Sequence, residues 1–441
     1  MSLPKTASEV PDVARENAVF RKVVRRIVPF LVLCYVVSYL DRVNVGFAKL
    51  QMSDDLGFSE AAYGLGAGLF FIGYFLFEVP SNLMLQRIGA RTWIARIMIS
   101  WGLVSASFVF VTNEATFYAL RFLLGAAEAG FYPGVILYCT YWFPSHRRAR
   151  VIALFMSAIP VAGIFGNPLS GWIMDRFQGV SGWQGWQGWQ GWQWMFLLEA
   201  IPAVLIGVAT LFYLDNSVRA AKWLTDEEKA VVERAIAEDA AHQTVHGRVW
   251  DAFREPRVWL MCLIYFCFVM GQYALTFWMP TFIESTGIEG NLAIGALSAV
   301  PFLAALVTMN LFGRSADKRR ERRWHLVVPS LMGAVGFSLA AGWSGSTALS
   351  LAALSFAAAG VLTCAPLFWS LPTAFLGGTA AAVGLAAINS VGNLAGFVSP
   401  YMIGALKDAT GSTSLPMYVL AFSLVVGAAA VLTTDKQVVN R

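Results

Sequence analysis

The sequence predicts an all-α membrane protein of twelve transmembrane helices arranged in two six-helix halves. Three observations lead there. The 441 residues are 57% hydrophobic and 13% charged, with a mean hydropathy of +0.59, whereas a soluble domain carries about 25% charged residues. Apolar runs long enough to cross a bilayer core, about 20 residues each, recur twelve times. The basic residues fall on every second connection, as they do when one side of a membrane holds the positive loops.

The first half, 27–214, reads as spans at 27–48, 61–85, 92–111, 115–139, 150–172 and 194–214. The second half, 257–434, reads as spans at 257–280, 292–314, 326–343, 347–370, 380–405 and 415–434. A polar tail, 1–26, precedes them and a short one, 435–441, follows. The run starting at Ile27 is too long for a signal-peptide core and lacks a small-residue cleavage pattern, so it is expected to stay as a spanning helix. Arg21, Lys22, Arg25 and Arg26, then Arg87 and Arg91, then Arg147, Arg148 and Arg150, then Arg314, Lys318, Arg319, Arg320, Arg322 and Arg323 share one side if there are twelve spans. The opposite connections are acidic or neutral: Asp54, Asp55 and Glu60, then Glu114, then Glu284 and Glu289. The positive-inside rule puts both termini in the cytoplasm of a cell inner membrane. The net charge of +5 then reports orientation in lipid, and no nucleic-acid partner is expected.

The longest polar segment, 215–256, separates six spans from six. Thr225 followed by Glu228 is a capping box, so a short amphipathic helix is expected from there to about Asp239. The halves carry related signals. Gly171-x-x-x-Asp175 closes span five, Gly404-x-x-x-Asp408 closes span eleven, and Gly313-x-x-x-Asp317 opens connection 8–9. Corresponding spans interrupted by Gly and Pro are what a transporter built from two related halves shows, and small residues at this spacing also serve close helix packing. Gly182 to Trp194 reads GWQGWQGWQGWQW. This repeat is expected to be a duplicated GWQW interfacial anchor that lengthens an outer loop. Cys34, Cys139, Cys262, Cys267 and Cys364 lie in apolar spans and read as packing residues. His242 and His246 read as a solvated helix face, since a pair without a third ligand does not make a metal site.

Charges within the spans carry the functional signal. Asp41 and Arg42 lie in span one, Arg121 and Glu128 in span four. A charge at membrane depth costs about 2.5–3.5 kcal/mol on insertion scales and marks function by default. Arginine stays protonated, so Arg42 and Arg121 suit an anionic cargo. Carboxyls take and release protons, so Asp41 and Glu128 suit coupling. Arg121 and Glu128, seven residues apart, lie on nearly one helix face, and Asp41 and Arg42 diverge by about 100°. Arg42 can therefore face a central cavity while Asp41 turns to a neighbouring helix. A set of static ion pairs is the structural alternative.

Tyr74, Gln272, Tyr273, Asn389 and Asn393 can hold polar groups of a ligand, and Trp369 and Trp278 can stack on a ring. Glu78, one turn after Tyr74, reads as a gate or an ion pair. No phosphate loop, H-E-x-x-H or G-x-S-x-G is present, so neither ATP-driven transport nor an enzyme is expected.

Ser38-Tyr39-Leu40-Asp41-Arg42-Val43-Asn44-Val45-Gly46-Phe47-Ala48, Pro80-Ser81-Asn82, Leu120-Arg121-Phe122-Leu123-Leu124-Gly125 through Glu128-Ala129-Gly130-Phe131-Tyr132-Pro133-Gly134, Trp142-Phe143-Pro144, Gly392-Asn393 and Ser399-Pro400 resemble the anion:cation symporter family of the major facilitator superfamily. The resemblance covers about 20–435, and Gln86 stands where the family's loop motif has aspartate. It implies the major facilitator fold and alternating access. It also implies substrate and proton roles for Asp41, Arg42, Arg121 and Glu128, and a substrate contact at Asn393. Residues 157–162 lack the span-five glutamine of a sugar-acid relative. Ala153-Leu154-Phe155-Met156 and Gly191-Trp192-Gln193-Trp194 with Phe196-Leu197-Leu198-Glu199 are similar to 4-hydroxyphenylacetate permeases, with tartrate and phthalate permeases also near. The expectation is a monomeric proton-coupled symporter of a small organic anion such as an aromatic or tartrate-like acid. No cofactor is expected beyond the coupling ion, H+ ahead of Na+. An exchanger of phosphorylated or dicarboxylate anions and a non-transporting receptor are the alternatives.

Overall fold

A computed structural model describes residues 9–180, 188–241, 255–343, 345–372 and 378–436. Its elements in the first half are α1 (Glu9–Leu56), α2 (Glu60–Ile88), α3 (Ala90–Ala106) with a 3-10 turn (Ser107–Phe110), α4 (Glu114–Glu128), α5 (Phe131–Thr140), α6 (Ser145–Met156), α7 (Ala158–Arg176) and α8 (Gly191–Tyr213). The linker holds α9 (Asp226–Ala241). The second half follows with α10 (Pro256–Glu284), α11 (Asn291–Arg319), α12 (Arg323–Gly342), α13 (Thr347–Phe368), α14 (Gly378–Asn393), α15 (Ala395–Thr410) and α16 (Ser414–Leu432).

Eleven helical segments among the described residues are long and apolar enough to cross a membrane. Expected span eleven is divided into α14 and α15, each of 16 residues. At the division Leu394 N–H donates to both Ser390 O (3.3 Å) and Val391 O (3.2 Å), and Phe397 N–H to Leu394 O (3.0 Å), a local tightening of the helix. Span four also changes direction within the membrane. Gly130 takes φ +85°, and a Cβ there would lie 2.4 Å from Ser81 Oγ, so only glycine suits both the turn and the contact. Span five is interrupted at Ser157, three residues before Pro160, whose missing N–H and ring weaken the helix there.

The packing joins the halves through two helix pairs, α2 against α15 and α7 against α11, with α1 against α10 between them. The two pairs are built alike. A Cβ on Gly171 would sit 2.2 Å from Asn291 O, and one on Gly404 would sit 2.2 Å from Glu60 O. Glycine lets each helix reach the first turn of its partner. One turn later, Asp175 accepts from Leu292 N (2.8 Å), Asn291 N (3.3 Å) and Asn291 Nδ2 (2.7 Å). Asp408 accepts from Ala61 N (2.8 Å) and Glu60 N (3.2 Å). Each aspartate thus caps the N-terminus of a helix in the other half, where unpaired N–H groups and the helix dipole favour an anion. Glu60 adds ion pairs to Lys407 (2.6 Å) and to the buried Lys49 (2.9 Å). These latches lie on the face opposite the basic connections.

On the basic face α9 starts with the reciprocal Thr225–Glu228 capping bonds (2.9 and 3.3 Å). It is tied to α1 by Lys22–Glu228 (2.7 Å) and Arg15–Glu227. Exposed pairs of this kind hold position more than they stabilise. His242 and His246 lie outside the described residues.

Residues 182–187 of the Trp-Gln-Gly repeat also lie outside the described residues. Its last copy is not a simple interfacial anchor. Trp192 is fully buried and donates from Nε1 to Asp55 (3.1 Å), and Gln193 donates to Val109 O (2.8 Å). Burying the indole with its N–H paired makes this copy part of the packed core.

Candidate functional site

A cavity of about 590 Å³, counting space open to solvent, lies between the latches and the basic face. α1 supplies Tyr35, Tyr39 and Arg42 to its wall, at positions i, i+4 and i+7 of one helix face. α2 supplies Phe70, Phe71 and Tyr74, and α5 supplies Tyr132. From the second half come Tyr265, Gln272 and Tyr273 of α10 and Asn389 and Asn393 of α14. Both halves therefore contribute, as a site read from alternate faces requires.

Arg42 is the one charged residue among the described residues of this wall. Its guanidinium pairs with Glu128, which is 2% exposed and also accepts from Ser38 Oγ at 2.7 Å. Asp41 points elsewhere. It accepts from Trp101 Nε1 and Ser105 Oγ of α3, both at 3.0 Å. The seven-residue spacing that sets Arg121 and Glu128 on one side of span four does not pair them, because the guanidinium that meets Glu128 comes from α1.

Arg121 does not reach the cavity wall. It is 0% exposed and donates to Gly66 O (3.3 Å) and Ala67 O (3.0 Å) of α2, while its Nη1 has no hydrogen-bond partner among the described residues. The Phe70 ring stands between the two arginines, 5.2 Å from the Arg42 guanidinium carbon and 5.1 Å from that of Arg121. The Phe277 ring of α10 covers Arg121 at 5.8 Å.

The remaining expected residues divide. Tyr74, Gln272, Tyr273, Asn389 and Asn393 line the cavity. Gln272 donates to Tyr39 OH (3.3 Å) across the halves. Trp369 lies behind Tyr265, ring to ring at 5.0 Å, and not in the wall. Trp278 is buried against Tyr63 (5.3 Å), toward the latches. Glu78 accepts from Asn389 Nδ2 (3.4 Å), a link between the halves one turn nearer the basic face than Tyr74. Sequence reasoning did not single out Tyr35 and Tyr39 of α1, Tyr132 of α5 or Tyr265 of α10 for the wall, gave no role to the buried Glu199, and read the Gly-x-x-x-Asp motifs without the helix ends they cap. The i, i+4, i+7 spacing of Tyr35, Tyr39 and Arg42 was the available signal for the first of these.

The Major Facilitator Superfamily model matches residues 31–400. A Pseudomonas putida chain provisionally named metabolite transport protein NicT is 48% identical over 429 residues, 96% of each chain. An Agrobacterium vitis chain provisionally named a tartrate transporter is 48% identical over 424 residues, 96% of this chain and 95% of that one. Among solved structures, a D-xylose-proton symporter superposes with TM-score 0.74 at 14% identity, covering 95% of this chain and 99% of that one. A likeness at that identity concerns the fold alone.

Proposed function

Because this chain belongs to the major facilitator superfamily and is a multi-pass secondary transporter, we propose that it carries a small aromatic monocarboxylate together with a proton, by alternating access. The observation that carries the reading is the cavity wall: one guanidinium, Arg42, among eight aromatic side chains. A single cation matches a single carboxylate, since a second buried negative charge would lack a partner. The tyrosine and phenylalanine rings offer stacking surfaces to an aromatic body.

Coupling follows from the Arg42–Glu128 pair. A carboxylate ligand that takes the Arg42 fork leaves Glu128 buried without its cation, and a proton neutralises it. Ligand and proton then favour each other's binding, which is what symport requires. Arg121, whose Nη1 has no hydrogen-bond partner among the described residues, stays behind Phe70 and Phe277 and leaves Arg42 as the cation that meets the ligand. In this reading the basic face is cytoplasmic, the membrane is the inner one, and one chain suffices.

A thermal-shift panel on the purified chain tests the proposal. A ligand at 100 times its Kd stabilises the native state by about 2.7 kcal/mol. 4-Hydroxyphenylacetate is expected to raise Tm, and tartrate to leave it unchanged. Uptake of the same acid into proteoliposomes is then expected to follow an imposed pH gradient. The name of the Agrobacterium relative favours a second reading, a hydroxylated dicarboxylate held by Arg42 with Gln272, Asn389 and Asn393. A larger shift with tartrate than with the aromatic acid selects it.

A further inference from the structure

Behind the cavity, inside the first half, lies a second set of buried polar groups. Glu199 of α8 is 1% exposed and accepts from Ser170 Oγ of α7 at 2.6 Å, and its Oε2 has no hydrogen-bond partner among the described residues. Asn44 of α1 is fully buried and lies beside Glu199 and Asp41. Its Nδ2 reaches Asp41 Oδ1 at 3.5 Å, and its Oδ1 also lacks a partner among the described residues. Two acceptor atoms, both buried and each without a donor, share one small volume with two carboxyls.

The charged groups on the surrounding elements do not supply the missing donor. α1 presents Asp41 to this cluster, while its Arg42 goes to Glu128 and its Lys49 to Glu60. The charged residues of α7 are Asp175, which caps α11, and Arg176 at the same end. Those of α3 are Arg91 and Arg96, in the half of the helix near the basic face. Among the described residues, neither Asp41 nor Glu199 meets a cation within ion-pair distance.

We propose that Glu199 is a proton-binding residue of the transport cycle. A proton added to its carboxylate turns Oε2 from an acceptor without a hydrogen-bond partner among the described residues into an O–H beside the buried Asn44 amide, and removes one of two adjacent negative charges. Of the two carboxyls Glu199 is the one that takes the proton, because Asp41 already accepts from three donors, Trp101, Ser105 and Asn44, and Glu199 accepts from Ser170. Uncompensated carboxylates are costly to bury, and each donor lowers that cost. The helix that supplies Ser170 also carries the Gly171–Asp175 latch one turn later. Charge at Glu199 therefore acts on the helix that closes the face opposite the basic connections.

This inference deepens the proton-symport reading and is tested without relying on it. Infrared difference spectra of the purified full chain, recorded across a pH titration, report the C=O band of each protonated carboxyl. Loss of one titrating band in E199Q, with that same band retained in E128Q, is expected. S170A keeps the carboxyl but removes a donor to its ionised form, so the Glu199 midpoint is expected to move to higher pH. An E199Q spectrum that titrates like the wild type overturns the proposal, as does an S170A midpoint that stays in place. If the Glu199 band titrates but 4-hydroxyphenylacetate uptake ignores a pH gradient, proton symport of that acid falls and the proton site stands.

Discussion

Arg42→Ala abolishes ligand-induced stabilisation and lowers affinity for the aromatic acid about 100-fold or more. The guanidinium is the one charge on the described cavity wall, and each hydrogen bond to a charged group contributes about 1.5–3 kcal/mol, so two lost bonds exceed two powers of ten. The same substitution lowers the Tm of the unliganded chain, because among the described residues Glu128 stays buried with Ser38 alone to donate to it. Breaking one side of a buried pair costs about 3–5 kcal/mol. The double variant R42A/E128Q separates the effects. It is expected to regain most of the lost stability, since no unpaired charge remains, and none of the ligand binding. Arg42→Lys keeps the charge but not the planar fork, and falls between wild type and alanine. Calorimetric titration with 4-hydroxyphenylacetate, beside thermal unfolding of the same preparations, measures both. An R42A variant that binds the acid normally would remove Arg42 from the site.

What the sequence discloses depends on how local the physics is. Lipid exacts its cost residue by residue, so the apolar runs and the alternating basic connections could be read directly. The breaks could not be placed. Gly130 turns span four at φ +85° where Ser81 leaves no room for a Cβ, and that neighbour lies on another helix. The same limit divides the site. Adjacent positions diverge on any helix, so the opposed directions of Arg42 and Asp41 follow from α1 alone. The partner of Glu128 does not, because it depends on how α1 packs near α4. Glu199 sits in an apolar run with no neighbouring signal, and only the meeting of α1, α7 and α8 gives it Ser170, Asn44 and Asp41. The Gly-x-x-x-Asp repeat was legible as a pattern. What it does became visible only with the helix ends it caps in the other half.

Those caps set the second large expectation. D175A/D408A is expected to shift the chain from the state closed on the latch face toward the state open there. Each cap contributes about 1 kcal/mol by analogy with other helix N-caps. The two latches are on different helix pairs and share no partner, so their effects add. Together they supply about 2 kcal/mol, roughly thirtyfold in the ratio of the two states. The single variants should each give the square root of that factor. Spin labels at Thr112 and Ser412, exposed positions on the latch side of the two halves, follow the change as a longer distance component. The native cysteines are all buried and leave the labelling specific. G171A and G404A reach the same end by another route, since a methyl 2.2 Å from a backbone oxygen forces the helices apart. Unchanged distances in the double aspartate variant would mean that apolar packing of α2 on α15 and α7 on α11, and not the capped helix ends, holds this face shut.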